Sequence, residues 1–446
     1  MPSFAIRNFG CRVNQAEAFS WTETFREAGL RHEDDWGRSD LVLVNSCTLT
    51  SRADRDVRKF IRKVSRENPG ARLVVTGCFA ERAQTEVEGM SADTLVLPNA
   101  EKPGLPERVM SLLGGAVRGA GEDPAGSGAP FRSRAHLKVQ DGCDNRCTFC
   151  VIPSVRGKST SLWEEEVVAR VRDLVGHGFR EIVLAGIHLS SYGENRVPPG
   201  SLLGLLRELE KVEGLGRLRL SSLDPRRADA ALLEHVAGNP KICQHFHFSL
   251  QHASGRVLRD MGRDGGADAC LSLLSALRER SPDASLGADV ITGFPGETEG
   301  DFACLRDFLR RSPLTYFHVF SYSRRAGTPA ADRPQVPGSL KKLRSLALRR
   351  LSLETDHGFR GSFAGRVLDA VVIRPGAGRR AARGGGTEVL TGNAIRVTVP
   401  SCPAPARDIV RVRIDRVLPY STEGFIVQSP SRDSADESPW SFSNRR

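Results

Sequence analysis

The sequence predicts an α/β protein: a small doubly wound parallel-sheet domain, then a partial (β/α) barrel, then a small all-β barrel domain. Three observations support this order. Short apolar runs alternate with helical stretches at the start, the alternation resumes in longer units from Ala135, and short β runs with glycine and proline follow residue 358. The 446 residues exceed one ordinary core and fit about three domains.

The N-terminal segment, residues 1–113, is predicted to form βαβ units. Strands are expected at Phe4–Phe9, Leu41–Val44 and Leu73–Thr76, with amphipathic helices at Gln15–Glu27 and Ala53–Arg66. Strands separated by helices of this length indicate a parallel sheet. The following segment, 114–131, has the glycine- and proline-rich composition of a linker.

The central segment, residues 132–357, is predicted to form a partial (β/α)6 barrel. Its expected strands are His136–Val139, Glu181–Ala185, Arg217–Ser221, His245–Leu250, Gly287–Ile291 and Tyr316–Phe320. Helical patterns such as Glu164–His177 and Leu271–Arg280 separate them.

The C-terminal segment, residues 358–428, is predicted to be a small β-barrel, with β runs at Arg366–Ile373, Ala394–Val399 and Ile409–Leu418. The net charge is +11, and eleven arginines against five acids give +6 between residues 359 and 428 alone. Such a basic excess favours a polyanionic partner, particularly nucleic acid. The polar tail, 429–446, is expected to be disordered.

The composition is that of a globular protein without a membrane segment. No apolar run approaches the ~18 residues that span a bilayer, and no signal-peptide pattern is visible at the start. We therefore expect a cytoplasmic protein. In that compartment the ten cysteines are expected to be reduced, so metal binding or burial is favoured over disulfides.

Three cysteines, Cys143, Cys147 and Cys150, form a C-x3-C-x2-C motif directly after a predicted strand. Barrel enzymes place their chemistry at that end of the strands. Three thiolates can hold three irons of a [4Fe–4S] cluster and leave the fourth open to S-adenosylmethionine (SAM), which one electron cleaves to a 5′-deoxyadenosyl radical. A zinc site is the alternative, but it usually takes four protein ligands.

A second set, Cys11, Cys47 and Cys78, follows the three N-terminal strands one by one. The carboxyl ends of parallel strands line one crevice, so these thiols should converge. Three converging thiols favour a second cluster with one open iron. Buried core cysteines are an equally good interpretation of the residues alone.

Glycine and polar residues, together with one isoleucine, end several strands of the central segment. They are Gly186, Ser221, Ser222, Asp224, Gln251, Ile291 and Gly293. Glycine permits close backbone approach to a ligand, and hydroxyl, amide and carboxylate groups can bind a ribose or an amino acid. Together with the cysteine motif they predict a cofactor pocket on the rim of the barrel.

With these motifs in this order, the chain resembles the radical-SAM methylthiotransferases over nearly its whole length. The resemblance implies two [4Fe–4S] clusters, held by the two cysteine sets, and a C-terminal TRAM-like RNA-binding domain. It implies SAM contacts at the rim residues and Phe149. It implies no catalytic side chain, because the cluster and SAM generate the radical.

The stretch Phe9-Gly-Cys11-Arg-Val-Asn14-Gln15-Ala-Glu17 resembles the GC-[KR]-VNQ-x-E pattern of the MtaB-type branch. That branch acts on N6-threonylcarbamoyladenosine at position 37 of tRNA, whereas GCQMN is typical of the isopentenyladenosine branch and GCPKN of the ribosomal-protein branch. Modification of isopentenyladenosine or of a ribosomal protein side chain, and a non-catalytic iron–sulfur RNA-binding role, are the alternatives.

The resemblance implies that one SAM methylates a sulfur held at the second cluster and another supplies the radical that takes hydrogen from C2 of the adenine. Contacts to tRNA are expected at Arg156 and, as phosphate contacts, at Arg366, Arg396, Arg411 and Arg413. Solvated surface charge is the alternative for each of the last four. A flavodoxin- or ferredoxin-like protein is the expected electron donor, and the sulfur source is unknown.

Three short stretches depart from the family pattern. Asp224 stands where the family has glutamate, residues 252–255 read His-Ala-Ser-Gly instead of Ser-Gly-Ser-Asp, and residues 159–161 read Ser-Thr-Ser instead of Arg-Ser-Arg. All six cysteines of the two sets are present, so we expect an active enzyme.

Overall fold

The structure is a computed structural model that describes residues 1–91, 94–113, 133–263, 265–373 and 386–428. The predicted linker, 114–131, and the predicted disordered tail, 429–446, lie outside the described residues. Within the described ranges, no helix is long and apolar enough to cross a bilayer.

The N-terminal unit is a five-stranded parallel sheet in the order β2-β1-β3-β4-β5. The strands are β1 Ser3–Asn8, β2 Arg31–His32, β3 Leu41–Ser46, β4 Arg72–Gly77 and β5 Thr94–Leu97. The helices are α1 Arg12–Glu27, α2 Ser51–Glu67, α3 Cys78–Arg82, α4 Gln84–Glu88 and α5 Leu105–Leu112. Separate apolar cores lie around Val42 and Val44 and around Leu41 and Leu43, so helices cover both faces of the sheet, as a doubly wound domain requires.

The central unit contains six parallel strands arranged as a partial barrel, with one short antiparallel strand. The strands are β6 Ala135–Asp141, β7 Thr160–Ser161, β8 Glu181–Gly186, β9 Arg217–Leu220, β10 His245–Gln251, β11 Ser285–Thr292 and β12 Tyr316–Ser321. The helices are α6 Ile152–Arg156, α7 Glu164–Gly176, α8 Leu202–Glu210, α9 Ala230–Val236, α10 Gly255–Asp260, α11 Ala267–Arg280, α12 Glu299–Arg311 and α13 Gly338–Gly361. Parallel bridges Leu218–Ile242 and Leu223–Phe248 connect β6-β8-β9 to β10-β11-β12.

Strand alternation makes the inside of this barrel polar. On β10, Phe246 and Phe248 are buried in the large core that the outer helices cover, whereas His245 and His247 lie on the opposite face. Both histidines are within hydrogen-bond distance of the Tyr316 hydroxyl, at 2.7 and 2.9 Å. An interior with this character suits a polar ligand better than a packed apolar core.

The C-terminal unit is a closed five-stranded barrel in the order β13-β14-β15-β17-β16. Its strands are β13 Val367–Ile373, β14 Thr387–Thr391, β15 Arg396–Val399, β16 Ile409–Val417 and β17 Thr422–Gln428. The sequence pattern predicted β13, β15 and β16 but not β14 or β17. Helix α13 runs to Gly361, past the predicted domain limit at residue 358.

The N-terminal and C-terminal units both contact the barrel. Helix α1 packs on β6 and β8, and Arg325, beyond β12, pairs with Asp54 at the start of α2 at 2.6 Å. On β9, Arg219 donates to the carbonyl oxygens of Thr391 and Gly392, at 3.0 and 3.2 Å. These buried charge-assisted contacts fix the positions of the units around the barrel.

Candidate active site

Cys11, Cys47 and Cys78, here called the N-terminal triad, occupy the carboxyl ends of three neighbouring strands. Cys11 caps helix α1 after β1, Cys47 directly follows β3, and Cys78 opens α3 after β4. A Cβ placed on Gly10 would lie only 2.9 Å from the Cβ of Cys47, and the Cys47 thiol has Cys11 and Cys78 as electrostatic neighbours. The structure brings the three predicted residues together.

The backbone around Cys78 depends on glycine and serine. Gly77 adopts φ +94°, and a Cβ there would lie 2.4 Å from the carbonyl oxygen of Ser46, so only glycine fits. The Ser46 hydroxyl accepts from the amides of Phe79 and Ala80, at 3.2 and 3.1 Å. The end of β3 therefore anchors the first turn of α3, which holds Cys78 close to Cys47.

Cys143, Cys147 and Cys150, here called the barrel triad, lie on the loop between β6 and α6. The Cys143 amide donates to the carbonyl of Gly157, at 3.2 Å, and the Cys150 amide donates to the carbonyl of Cys147, at 3.1 Å. The Thr148 amide donates to the carbonyl of Met261 at 2.9 Å. These hydrogen bonds hold the loop to the residues that follow α6 and α10 and keep the three cysteines close together.

The two triads meet at one place. Cys78 is buried against Ile152 and Val155 of α6, and Cys143, Cys150 and Ile187 pack against the same cluster. A short helix therefore separates a thiol of the N-terminal triad from two thiols of the barrel triad. Ligands bound by the two triads would therefore lie at the carboxyl ends of the parallel strands of both units, on either side of α6.

The surroundings of the thiols fit iron–sulfur ligation. Burial raises the pKa of Cys47 and of Cys150 to about 12, so a bound cation is needed to hold them as thiolates at neutral pH. Backbone amides approach both sulfurs: Leu49 lies 3.5 Å from that of Cys47 and Ile152 lies 3.4 Å from that of Cys150. Such N–H groups stabilise cluster thiolates and tune their potential.

Arg156, a predicted tRNA contact, lies in a buried network between the two units, with 1% of its side chain exposed. Its Nε donates to the Cys78 sulfur at 3.2 Å, and its Nη1 donates to Glu17 and Asp141, at 3.1 and 2.9 Å. Its Nη2 donates to Asn14 at 2.7 Å. In this structure the guanidinium orients a triad thiol.

Glu17 is the centre of that network. Lys102 and Lys138 approach its carboxylate at 2.7 and 3.2 Å, and Asn45 donates to it at 3.0 Å. Burial would raise the pKa of Glu17, but Lys102, Arg156 and Lys138 outweigh it and hold the pKa well below its usual value. The Asn14 and Glu17 positions of the VNQ-x-E stretch thus have a structural role at the N-terminal triad.

Arg263 was not among the residues that the sequence predicted. Its guanidinium lies 3.7 Å from the Cys147 sulfur, 3.2 Å from Asp224 and 2.8 Å from the carbonyl of Ser249. Arg263 therefore links the barrel triad to two of the strand ends that form the predicted pocket. No motif marks it, because its partner in the barrel triad, Cys147, lies 116 residues earlier in the chain.

Asp224 is buried in this pocket. Burial would raise its pKa, but hydrogen bonds from His188 and Arg226 and the charge of Arg263 outweigh it and hold the pKa below the usual range. The shorter carboxylate reaches its partners, with Arg226 at 2.6 Å and His188 at 3.3 Å. The departure from glutamate is accommodated by these neighbours.

Gly186, Ser221 and Gln251 lie on the same rim. The Ser221 hydroxyl accepts from the Gly186 amide at 3.2 Å, and Ser222 is partly exposed in the loop after β9. Gln251 ends β10 with φ +70°, a conformation that costs a non-glycine residue free energy and that concentrates at functional sites. These residues lie at the carboxyl ends of β8, β9 and β10, and the barrel triad follows the carboxyl end of β6.

Phe149, Ile291 and Gly293 form an apolar side of the rim. Phe149 packs edge-to-face on Phe294, with ring centroids 6.4 Å apart, beside Ile291. The Gly293 amide donates to Glu297 at 2.7 Å, and a Cβ on Gly293 would clash with the Lys341 side chain. The structure therefore favours glycine at position 293, because any side chain there would have to displace Lys341.

The other two departures from the family pattern are explained by local contacts. His252 is fully buried, and its ring accepts from the Ser254 amide at 2.9 Å. Ser159 accepts from Gln140 at 3.0 Å, and the Ser161 hydroxyl accepts from the Gly193 amide at 3.0 Å. These residues support the strand ends around the pocket.

The four predicted phosphate contacts are exposed residues of the C-terminal barrel or its edge. Arg366 pairs with Asp283, and Arg396 pairs with Glu388 at 2.5 Å. On β16, Arg411 and Arg413 alternate with the buried Val410 and Val412, so both lie on the outer face. Because residues two apart on a strand point to the same side, Arg411 and Arg413 form one exposed basic patch on β16.

Comparisons with known proteins agree with this arrangement. Residues 3–97 match the model of the Uncharacterized protein family UPF0004, and residues 137–309 match that of the Radical SAM superfamily. A radical SAM methyltransferase from Kitasatospora setae, TsrM, shares the fold with a TM-score of 0.53 at 16% identity, covering 74% of this chain and 75% of its own.

Relatives of known name are closer in sequence. Threonylcarbamoyladenosine tRNA methylthiotransferase MtaB of Aquifex aeolicus is 35% identical over 83% of this chain and 92% of its own length. The protein of the same name from Bacillus subtilis is 33% identical over 83% and 85%. A tRNA-2-methylthio-N(6)-dimethylallyladenosine synthase of Frankia casuarinae is 30% identical over 94% and 84%. The chain therefore belongs to the radical SAM methylthiotransferase family.

Proposed function

We propose that this protein attaches a methylthio group to C2 of N6-threonylcarbamoyladenosine at position 37 of tRNA. The observation that carries the proposal is the meeting of the two triads around α6, where Cys78 packs against the same residues as Cys143 and Cys150. Radical formation and sulfur transfer need two such centres facing one substrate. The names of the Aquifex and Bacillus relatives favour the threonylcarbamoyl base.

The proposal assigns a [4Fe–4S] cluster to each triad. When bound, one cluster supplies the electron that cleaves SAM and the other holds the sulfur to be transferred. The C2–H bond of adenine is not acidic, so side chains cannot remove its hydrogen by acid–base chemistry at neutral pH. The residues of this chain instead position the reactants, with Asp224, Arg263, Gln251 and Gly186 around SAM and Arg156 at Cys78.

In this proposal, residues 1–113 carry the sulfur-transfer centre, 132–357 the SAM centre and 358–428 the RNA-binding surface. A tRNA substrate implies that the protein works in the cytoplasm. A flavodoxin- or ferredoxin-like protein is the proposed reductant.

The reaction is tested by following the C2 hydrogen. Protein reconstituted without oxygen is incubated with SAM, a reductant and an anticodon stem-loop that carries deuterium at C2 of the threonylcarbamoyl base. Deuterium should appear in 5′-deoxyadenosine, and the base should gain a methylthio group. Cleavage of SAM without deuterium transfer would overturn the proposal.

The RNA surface gives a separate prediction. Reversing both Arg411 and Arg413 to glutamate should weaken tRNA binding and flatten the dependence of log K on log salt by about two, because each phosphate contact contributes about one unit of slope. Filter binding at several salt concentrations measures both. Arg170→Glu, which reverses the charge of an exposed residue on α7, is the control. If the Arg411 and Arg413 double variant and the Arg170 variant bound tRNA equally well at low salt, the proposed RNA-binding role of β16 would be contradicted.

A further inference from the structure

Arg12 follows the first cysteine of the N-terminal triad and begins helix α1. Its side chain is partly buried, yet no carboxylate in the described part of the chain lies within ion-pairing distance and no acceptor receives its N–H groups. A guanidinium carries five donors and stays charged at neutral pH. Arg12 is therefore a cation with unused donors directly beside Cys11.

The Arg12 side chain interacts with the interior of the barrel. Its electrostatic neighbours are Arg219 on β9, Tyr316 on β12 and Glu181 on β8. His245 on β10 also interacts with it. Side chains of four barrel strands thus lie within electrostatic range of a guanidinium that comes from the N-terminal unit.

The charges around Arg12 leave it without a counter-ion. Glu181 is fully buried and is already shared by Arg134, Arg217 and Arg219, at 3.4, 2.7 and 2.7 Å. The positive charge of Arg219 also lies within electrostatic range of Arg12, so a negatively charged ligand would be stabilised between them.

The other charged groups facing this region are already paired. Asp289 on β11 and Asp356 on α13 interact with Tyr316. Asp289 lies 2.9 Å from His247 and 3.2 Å from His318, and Asp356 pairs with Arg360 at 2.8 Å. Neither acid neutralises Arg12, so an anionic ligand would complete the site.

The proposed substrate carries a suitable anion. The N6 substituent of threonylcarbamoyladenosine ends in a carboxylate, whereas a dimethylallyl group is uncharged. N6 and C2 lie on either side of N1 of the same ring, so a base that presents C2 to the N-terminal triad presents its substituent on the same edge. A guanidinium binds a carboxylate with two parallel hydrogen bonds.

We propose that Arg12 binds the threonyl carboxylate and thereby selects the threonylcarbamoyl base over uncharged ones. This inference rests on the proposed function. Tyr316 and the histidines beside it form a polar wall that suits the hydroxyl of the same substituent. A phosphate of the tRNA backbone is the other source of an anion, and the experiment separates the two.

The test changes the charge on each side of the contact. Binding of three anticodon stem-loops to the reconstituted protein is measured: one with threonylcarbamoyladenosine, one with its carboxyl methyl ester and one with unmodified adenosine. Losing a charge-assisted hydrogen-bond pair should raise the Kd of wild type for the ester about 10- to 100-fold. Arg12→Gln should raise the Kd for the carboxylate form by a similar factor and should not discriminate between acid and ester.

Two further variants make the comparison specific. Arg12→Lys keeps the charge and should retain part of the preference for the acid. Arg7→Gln, on the exposed side of β1, should behave as wild type. The ester comparison on wild type needs no variant, so it stands even if Arg12→Gln lowers cluster content.

Two results would overturn the inference: equal binding of acid and ester by wild type, or an equal loss by Arg12→Gln on modified and unmodified RNA, which would indicate a phosphate contact. Failure of the proposed function is a different result, in which wild type cleaves SAM but never adds a methylthio group to the threonylcarbamoyl base.

Discussion

Replacing Cys147 with serine should abolish SAM cleavage, whereas replacing Cys47 with serine should leave SAM cleavage in place and abolish the methylthio product. The reason is that each triad supplies the thiolates of one cluster, and two thiolates hold a cluster poorly. Iron content should fall to about half in each variant. Chromatography of 5′-deoxyadenosine and mass spectrometry of the RNA measure the two activities.

Cys304→Ser is the matched control, because Cys304 is exposed on α12 and belongs to neither triad. It should keep iron, SAM cleavage and product at wild-type levels. If Cys47→Ser kept both its full iron content and product formation, the N-terminal triad would be a set of core cysteines that holds no cluster.

Replacing Glu17 with glutamine should lower the free energy of unfolding by about 3–5 kcal/mol, because the variant leaves buried cations uncompensated. Glu17 and its partner Lys102 have 3% and 7% of their side chains exposed, so water cannot replace the lost charge. The variant should also lower methylthio transfer, since Glu17 helps to hold Arg156 at Cys78. Denaturant unfolding followed by circular dichroism measures the stability.

The pH dependence of this effect has a definite sign. A carboxyl group whose folded pKa is depressed stabilises the protein above its unfolded pKa of about 4.3 and loses that contribution as the pH falls through the folded value. The difference between wild type and Glu17→Gln should be constant from pH 8 to 6 and should shrink below about pH 4. Glu27→Gln, exposed on the same helix, should show no comparable loss, and an equal loss would contradict the role of the network.

The sequence predicted the six parallel barrel strands because each is a short apolar run between clear helical patterns. It also predicted the convergence of Cys11, Cys47 and Cys78, since parallel strands bring their carboxyl ends to one edge. Strands β14 and β17 were missed, because a barrel of short strands gives weak alternation, and β14 follows the undescribed residues 374–385.

The polar network around the triads could not be predicted in this way. Arg156, Glu17 and Lys102 come from three distant segments: the fold of the N-terminal unit brings Lys102 to Glu17, and the packing of α1 against the barrel brings Arg156 there. Arg263 reaches Cys147 through the fold of the barrel itself, across 116 residues of the chain. Local sequence reports periodicity and turn chemistry, whereas the pairing of buried charges depends on how whole units dock.

Nucleoside mass spectrometry of tRNA tests the proposed reaction and its substrate together. A host without its own methylthiotransferases is compared with and without the gene for this protein. We predict a new 2-methylthio form of threonylcarbamoyladenosine, which is lost with Cys47→Ser and with Cys147→Ser. A methylthio form of isopentenyladenosine instead would keep the chemistry but contradict the substrate and the role of Arg12. Unchanged tRNA, with both clusters intact in the purified protein, would contradict the claim and favour a ribosomal protein as the substrate.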